Sequence, residues 1–136
     1  MISRLSSKDP ELDALLQAAD VSLRKSAAWQ AAGAAVVHTQ LETDIRYLAI
    51  TVQTAENLDA LVQELDDEYF NLQDLADDGK ATDEQVLEAF SRARAAAAVF
   101  FAFTGDFTES VYEALSSSDE PSAISLVARK ALETRA

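Results

Sequence analysis

Residues 54–79 read TAENLDALVQELDDEYFNLQDLADDG, and residues 82–105 read TDEQVLEAFSRARAAAAVFFAFTG. In the first stretch Leu58, Leu61, Val62, Leu65, Tyr69, Leu72 and Ala76 recur every three or four residues, so one apolar stripe runs along a helix. Thr54 stands at the N-cap position and Gly79 where a helix stops. In the second stretch Thr82 and Gln85 have the spacing of a capping box. Val86, Phe90, Ala93 and Ala97 then carry an apolar face, which Val99, Phe100, Phe101 and Phe103 extend round the helix. A helix apolar on nearly every side belongs inside a core, so 83–103 is expected to be the central helix of an all-α protein.

The flanking sequence agrees with this reading. Asp9 and Pro10 open a short helix through Leu12, Leu15 and Leu16, and Asp20 caps another from Val21 to about His38. In that second helix Leu23, Ala27, Trp29 and several alanines leave few polar positions. After Gly105, helices are expected at about Phe107–Ser116 and Pro121–Glu133, with a turn between Ser116 and Glu120. The segment Glu42–Thr54 fits two templates: Ile45, Leu48, Ala49 and Val52 recur at helical spacing, while Leu48, Ile50 and Val52 alternate as in a strand. No second strand is available to pair with it, so helix is preferred. Six to seven helices with short connections predict a compact single-domain bundle, 136 residues being the length of one ordinary domain.

Composition narrows the function. There is no cysteine, which removes disulfides and thiolate metal sites, and no apolar stretch follows Arg4 and Lys8 as in a secretory leader. The longest apolar run, Ala95–Phe103, has nine residues, whereas a membrane span needs about 20. A cytoplasmic protein without membrane contact is the expectation.

Catalytic and metal patterns are also missing. The single histidine, His38, ends an apolar helix, where capping of the last carbonyls is its expected task. Gly33, Gly79 and Gly105 stand far apart and form no phosphate loop. Asp74–Gln85 lies between two helices with Gly79 in the sixth position, like an EF-hand loop. Ala76 occupies the third position and Gln85 the twelfth, so two required ligands are lost and the loop reads as a turn. A lone histidine excludes the paired Glu-x-x-His pattern of di-iron bundles. Asp66 and Asp67 are adjacent carboxylates, but successive helix residues diverge by about 100°, which does not suit glycoside hydrolysis. No enzyme, no cofactor and no metal are expected.

Charge carries the functional expectation. The formal net charge is −13, and between Glu56 and Glu88 twelve carboxylates face one base, Lys80. Eleven of the thirteen net negative charges therefore fall in that segment, which repels nucleic acid and favours a basic protein. On a helical wheel Glu56, Asp59, Asp67, Asp74 and Asp77 collect opposite the apolar stripe, with Phe70 among them. Asp59, Asp66, Asp67, Phe70, Asp74, Asp77 and Asp78 form the candidate contact, with carboxylates steering the partner and Phe70 anchoring it.

In charge and size the chain resembles immunity proteins, antitoxins and nucleic-acid mimics. That resemblance implies a non-enzymatic inhibitor covering the basic surface of a partner such as a nuclease toxin. Two other readings compete with it: an adaptor using an apolar helix face for protein or self association, and a bundle with a ligand pocket near Trp29, Phe100 and Phe101.

Overall fold

The computed structural model describes residues 3–133; Met1 and Ile2, where the expectation of no secretory leader partly falls, lie outside the described residues, as do 134–136. Eight α-helices occur in the order α1 (Arg4–Lys8), α2 (Pro10–Ala18), α3 (Val21–His38), α4 (Ile45–Leu48), α5 (Ala55–Asp77), α6 (Asp83–Thr104), α7 (Phe107–Ser116) and α8 (Pro121–Glu133). A 3-10 turn, Leu41–Thr43, precedes α4, and there is no strand among the described residues. The count exceeds six to seven because α1 and α4 are helices of five and four residues, too short for periodicity to disclose.

The helix ends follow from local chemistry. Asp9 accepts a hydrogen bond from the Leu12 N–H, Asp20 from Leu23 and Thr54 from Asn57. Thr82 and Gln85 complete the capping box in both directions, at 3.1 and 2.9 Å. Gly79 adopts φ +74°, which lets the Lys80 N–H turn back to the Leu75 carbonyl at 2.7 Å and close α5.

Small residues form the centre. Ala27, Ala28, Ala31, Ala32 and Ala35 of α3 are fully buried, as are Ala93, Ala95, Ala96 and Ala98 of α6. α6 packs against α3, α5 and α7, and α3 also against α7 and α8, so α6 is the central helix with α3 beside it. Leu5, Leu12, Leu16, Leu41, Val111, Leu115 and Ile124 close the core around this pair. On the other side of α6, α5 contributes Leu58, Leu61 and Leu65. Each of those leucines stabilises the fold by at most about 1.5–3 kcal/mol, which is why a charge at Leu65 is expected to unfold it.

Two expectations need correction. The aromatics of α6 are peripheral: Phe100 and Phe101 are half-buried and touch edge to face, and Phe103 is exposed. Close approach of α3 and α6 requires alanine at the contact, and the rings are displaced outward, so Trp29, Phe100 and Phe101 line none of the clefts described below.

The segment 42–54 is α-helical only over α4, after the end of the 3-10 turn, and the chain then runs irregularly to Thr54. Its helically spaced apolar residues face outward, with Ile45 80%, Leu48 62% and Val52 67% exposed. α4 packs chiefly on the 3-10 turn, so no core surface is offered to that face.

Candidate partner-binding surface

Helix α5 packs substantially on α6 alone and is the outermost long helix. Beyond Leu65 the α5–α6 hairpin forms a thinly packed arm, and no residue between Leu65 and Ala89 is buried. Half-buried Tyr69, Leu72, Ala76, Val86 and Phe90 hold this arm together, with the Tyr69 and Phe90 rings 5.3 Å apart.

The outer side of α5 is open. Glu56, Asp59, Asp67, Asp74 and Asp77 are exposed, as is Asp78 at the helix end. Phe70 is 57% exposed among them, its ring resting against Tyr69 at 5.1 Å while the outer side stays uncovered. Asp59 accepts a hydrogen bond from the Gln63 amide at 2.8 Å, a local contact that leaves its charge intact.

Neutralisation by the chain's own bases is confined to the two flanks. Arg94 reaches Asp66 at 2.6 Å, and Arg46 reaches Glu68 at 2.6 Å. Among the described residues no ion pair reaches the other ten carboxylates between Glu56 and Glu88, and Lys80 makes none. Asp66 must therefore be withdrawn from the open contact set. It turns off the acidic face toward α6, whereas Asp59, Asp67, Phe70, Asp74, Asp77 and Asp78 stay outside.

The flank at α4 is firmly built. Asp44 caps α4 by accepting from the Arg46 N–H at 2.8 Å and holds the Arg46 guanidinium through both carboxylate oxygens. The hydrogen bond from that guanidinium outweighs burial and holds the Asp44 carboxyl below the usual carboxylate range, with Arg92 adding to the effect. Arg46 is pushed up in turn by Asp44 and then Glu68.

The His38 expectation changes in detail. Its Nε2 lies 3.2 Å from the Ser118 hydroxyl and 3.6 Å from Asp119, while the Ala35 carbonyl is capped by the Thr39 hydroxyl at 2.8 Å. Both oxygens approach the same ring nitrogen, whereas a serine–histidine–carboxylate relay uses one nitrogen for each. His38 borders a cleft of about 500 Å³ with Leu87, Phe90 and Arg92, which local sequence signals do not reveal because its walls come from three distant segments.

At the EF-hand-like loop, Gln85 is engaged in the capping box rather than aimed at the loop centre. Among the described residues no group of three or more histidine or carboxylate side chains is placed to hold a metal, and no helix is long and apolar enough to cross a membrane.

Fold and surface together define a class: an all-helical protein that carries an acidic, thinly packed two-helix arm on an alanine-rich body. No protein-family model, curated protein or solved structure matches the chain.

Proposed function

We propose that this chain is a non-enzymatic binding protein that neutralises a basic protein partner through the outer face of α5, in the manner of an immunity protein or antitoxin. The observation that carries the reading is the uncompensated row Asp59, Asp67, Asp74 and Asp77 around an exposed Phe70. Like charges held this densely on one helix repel each other and destabilise it, and an opposing basic surface removes that cost. The same field accelerates encounter with a cationic partner, while an aromatic side chain supplies the desolvated contact that slows release. The proposed setting is the cytoplasm, where a chain without cysteine forgoes no disulfide.

The test is site-specific photo-crosslinking in the native cell. A photoreactive phenylalanine analogue placed at Phe70 is expected to capture a basic protein. The same group at Leu126, exposed on α8, is expected not to capture it. Changing Asp59, Asp67, Asp74 and Asp77 to Asn should abolish the product, and stoichiometric addition of the chain should suppress the captured protein's own activity. Identical products from both positions, or capture indifferent to the four substitutions, would exclude the reading.

A further inference from the structure

Where α4 meets α5, the open surface changes from charged to apolar. Ile45, Leu48 and Val52 lie within eight residues of chain and are each more than 60% exposed. Two clefts adjoin Leu48 and Val52, and Ile45 stands about one turn before Leu48 on α4. One, of about 210 Å³, is lined by Leu48, Ile50 and Leu58, and the other, of about 260 Å³, by Val52, Ala60 and Glu64. The α4-segment wall of the second cleft joins Ala49, Ile50 and Val52 to Arg46, whose charge is matched by Asp44 and Glu68, and the wall from α5 carries Glu64. Glu56 and Asp67 lie next round the same helix, exposed and without ion pairs. The Asp44–Arg46–Glu68 bridge ties α4 to α5, so this apolar ledge is held in place rather than left loose.

We infer that the trough between the α4 segment and α5 receives a cationic amphipathic helix of a partner protein. The partner's apolar stripe packs on Ile45, Leu48 and Val52, and its lysines or arginines meet Glu56, Glu64 and Asp67. Charge selects this occupant over two others. A second copy would bring another −13 chain against the same carboxylates, and an anionic membrane surface would be repelled. The inference rests on the acidic-face reading for the sign of the partner and adds the apolar half of its recognition.

The experiment uses two synthetic 18-residue peptides of identical lysine and leucine content. One carries its leucines on a single helical face and the other has them scrambled, and binding to the full chain is followed by fluorescence anisotropy. The facially amphipathic peptide is expected to bind at least tenfold more tightly than the scrambled one. That preference should vanish in an Ile45→Asn, Leu48→Asn, Val52→Asn variant, whose melting curve should be unchanged because all three side chains are exposed. A Glu56→Gln, Glu64→Gln, Asp67→Asn variant should weaken both peptides. Equal binding of the two peptides, still dependent on the carboxylates, sinks the trough while leaving the acidic-face reading standing. Preference that persists without the carboxylates and at 0.5 M salt overturns the cationic half of the inference, while the acidic-face reading, which rests also on Asp59, Asp74 and Asp77, is decided by its own crosslinking test. Dimerisation, or binding to phosphatidylcholine vesicles, that the three asparagines abolish would assign the ledge to a second copy or to a membrane and overturn the inference.

Discussion

Glu113 is only 2% exposed, and two arginines from different elements meet its carboxyl group. Arg4 meets one carboxylate oxygen at 3.0 Å and Arg94 the other at 2.8 Å, joining α1, α6 and α7. Arg94 continues to Asp66 on α5, and Arg4 continues to Glu109 while lying 4.3 Å over the Tyr112 ring. Glu113→Ala strands part of the arginines' charge in a desolvated place. Because Asp66 and Glu109 remain as second partners, the expected loss is near the lower end for a broken buried pair, about 3 kcal/mol by urea unfolding. Asp9 offers a pH test of the same kind. Burial raises its carboxyl, but the Ser125 hydroxyl, the Leu12 N–H and Arg129 together outweigh that and leave it below the usual carboxylate range. The unfolded chain therefore binds this proton more readily than the folded one. The stabilisation is complete above the ordinary value of about 4 and is lost as pH falls through the lowered folded value. Asp9→Asn keeps a competent N-cap and removes the charge facing Arg129. It should cost about 1–2 kcal/mol at pH 7, the gap between variant and parent narrowing as pH drops toward 3. A gap that stays constant with pH would show that the charge is irrelevant.

The hairpin of α5 and α6 contains two regimes within one pair of helices. Near the body, Leu58, Leu61 and Leu65 belong to the buried core with the alanines of α6, whereas beyond Leu65 the contacts are half-exposed and the two helices lean mainly on each other. Opening free energy follows burial, so amide hydrogen exchange in 66–88 should be faster than in 93–102 and should occur without global unfolding. Uniform protection along both helices would mean that the arm is as stable as the body. Substituting Thr82 by Ala removes the capping box at the start of α6, an effect of about 1 kcal/mol, and should accelerate exchange in the first turns of α6 while leaving α3 and α7 unaffected.

Across the molecule, bases and acids are distributed unequally. Arg4, Arg46, Arg94 and Arg129 all make ion pairs that tie one element to another, Arg129 joining α8 to Asp9 and Glu11 at 2.9 and 2.7 Å. These cations hold the body and its flanks together, so the arm keeps its negative charge. Salt then acts on two populations. The short, partly buried bridges are screened little, while the exposed carboxylates of the arm are screened strongly once the Debye length falls below their spacing. Raising ionic strength from 0.05 to 0.5 M should therefore stabilise the fold by about 1 kcal/mol, a rise of about 3–6 °C in melting temperature for a domain of this size. Asn at 59, 67, 74 and 77 should reproduce that rise at low salt and remove most of the salt response. A melting temperature that falls with salt would mean that the bridges outweigh arm repulsion.

The amino-acid sequence by itself determined the helices, their caps and the concentration of charge, because each depends on partners no more than a few residues apart. Asp20, Thr54, Thr82 with Gln85, Gly79 and Gly105 act within a single turn, so the limits of α3, α5, α6, α7 and α8 are legible within a residue. Most of the acidic face was legible for the same reason, since a helix places Asp59, Phe70 and Asp77 on one side whatever surrounds it. Tertiary structure alone decided what is covered. Asp66 leaves the open face because Arg94, 28 residues away, arrives beside it. The helical spacing of Ile45, Leu48 and Val52 promised burial, and exposure followed because, among the described residues, only the 3-10 turn packs substantially on α4. Alanine took the interior and phenylalanine the rim because the distance between α3 and α6 is set by both helices together, and neither sequence segment encodes it alone.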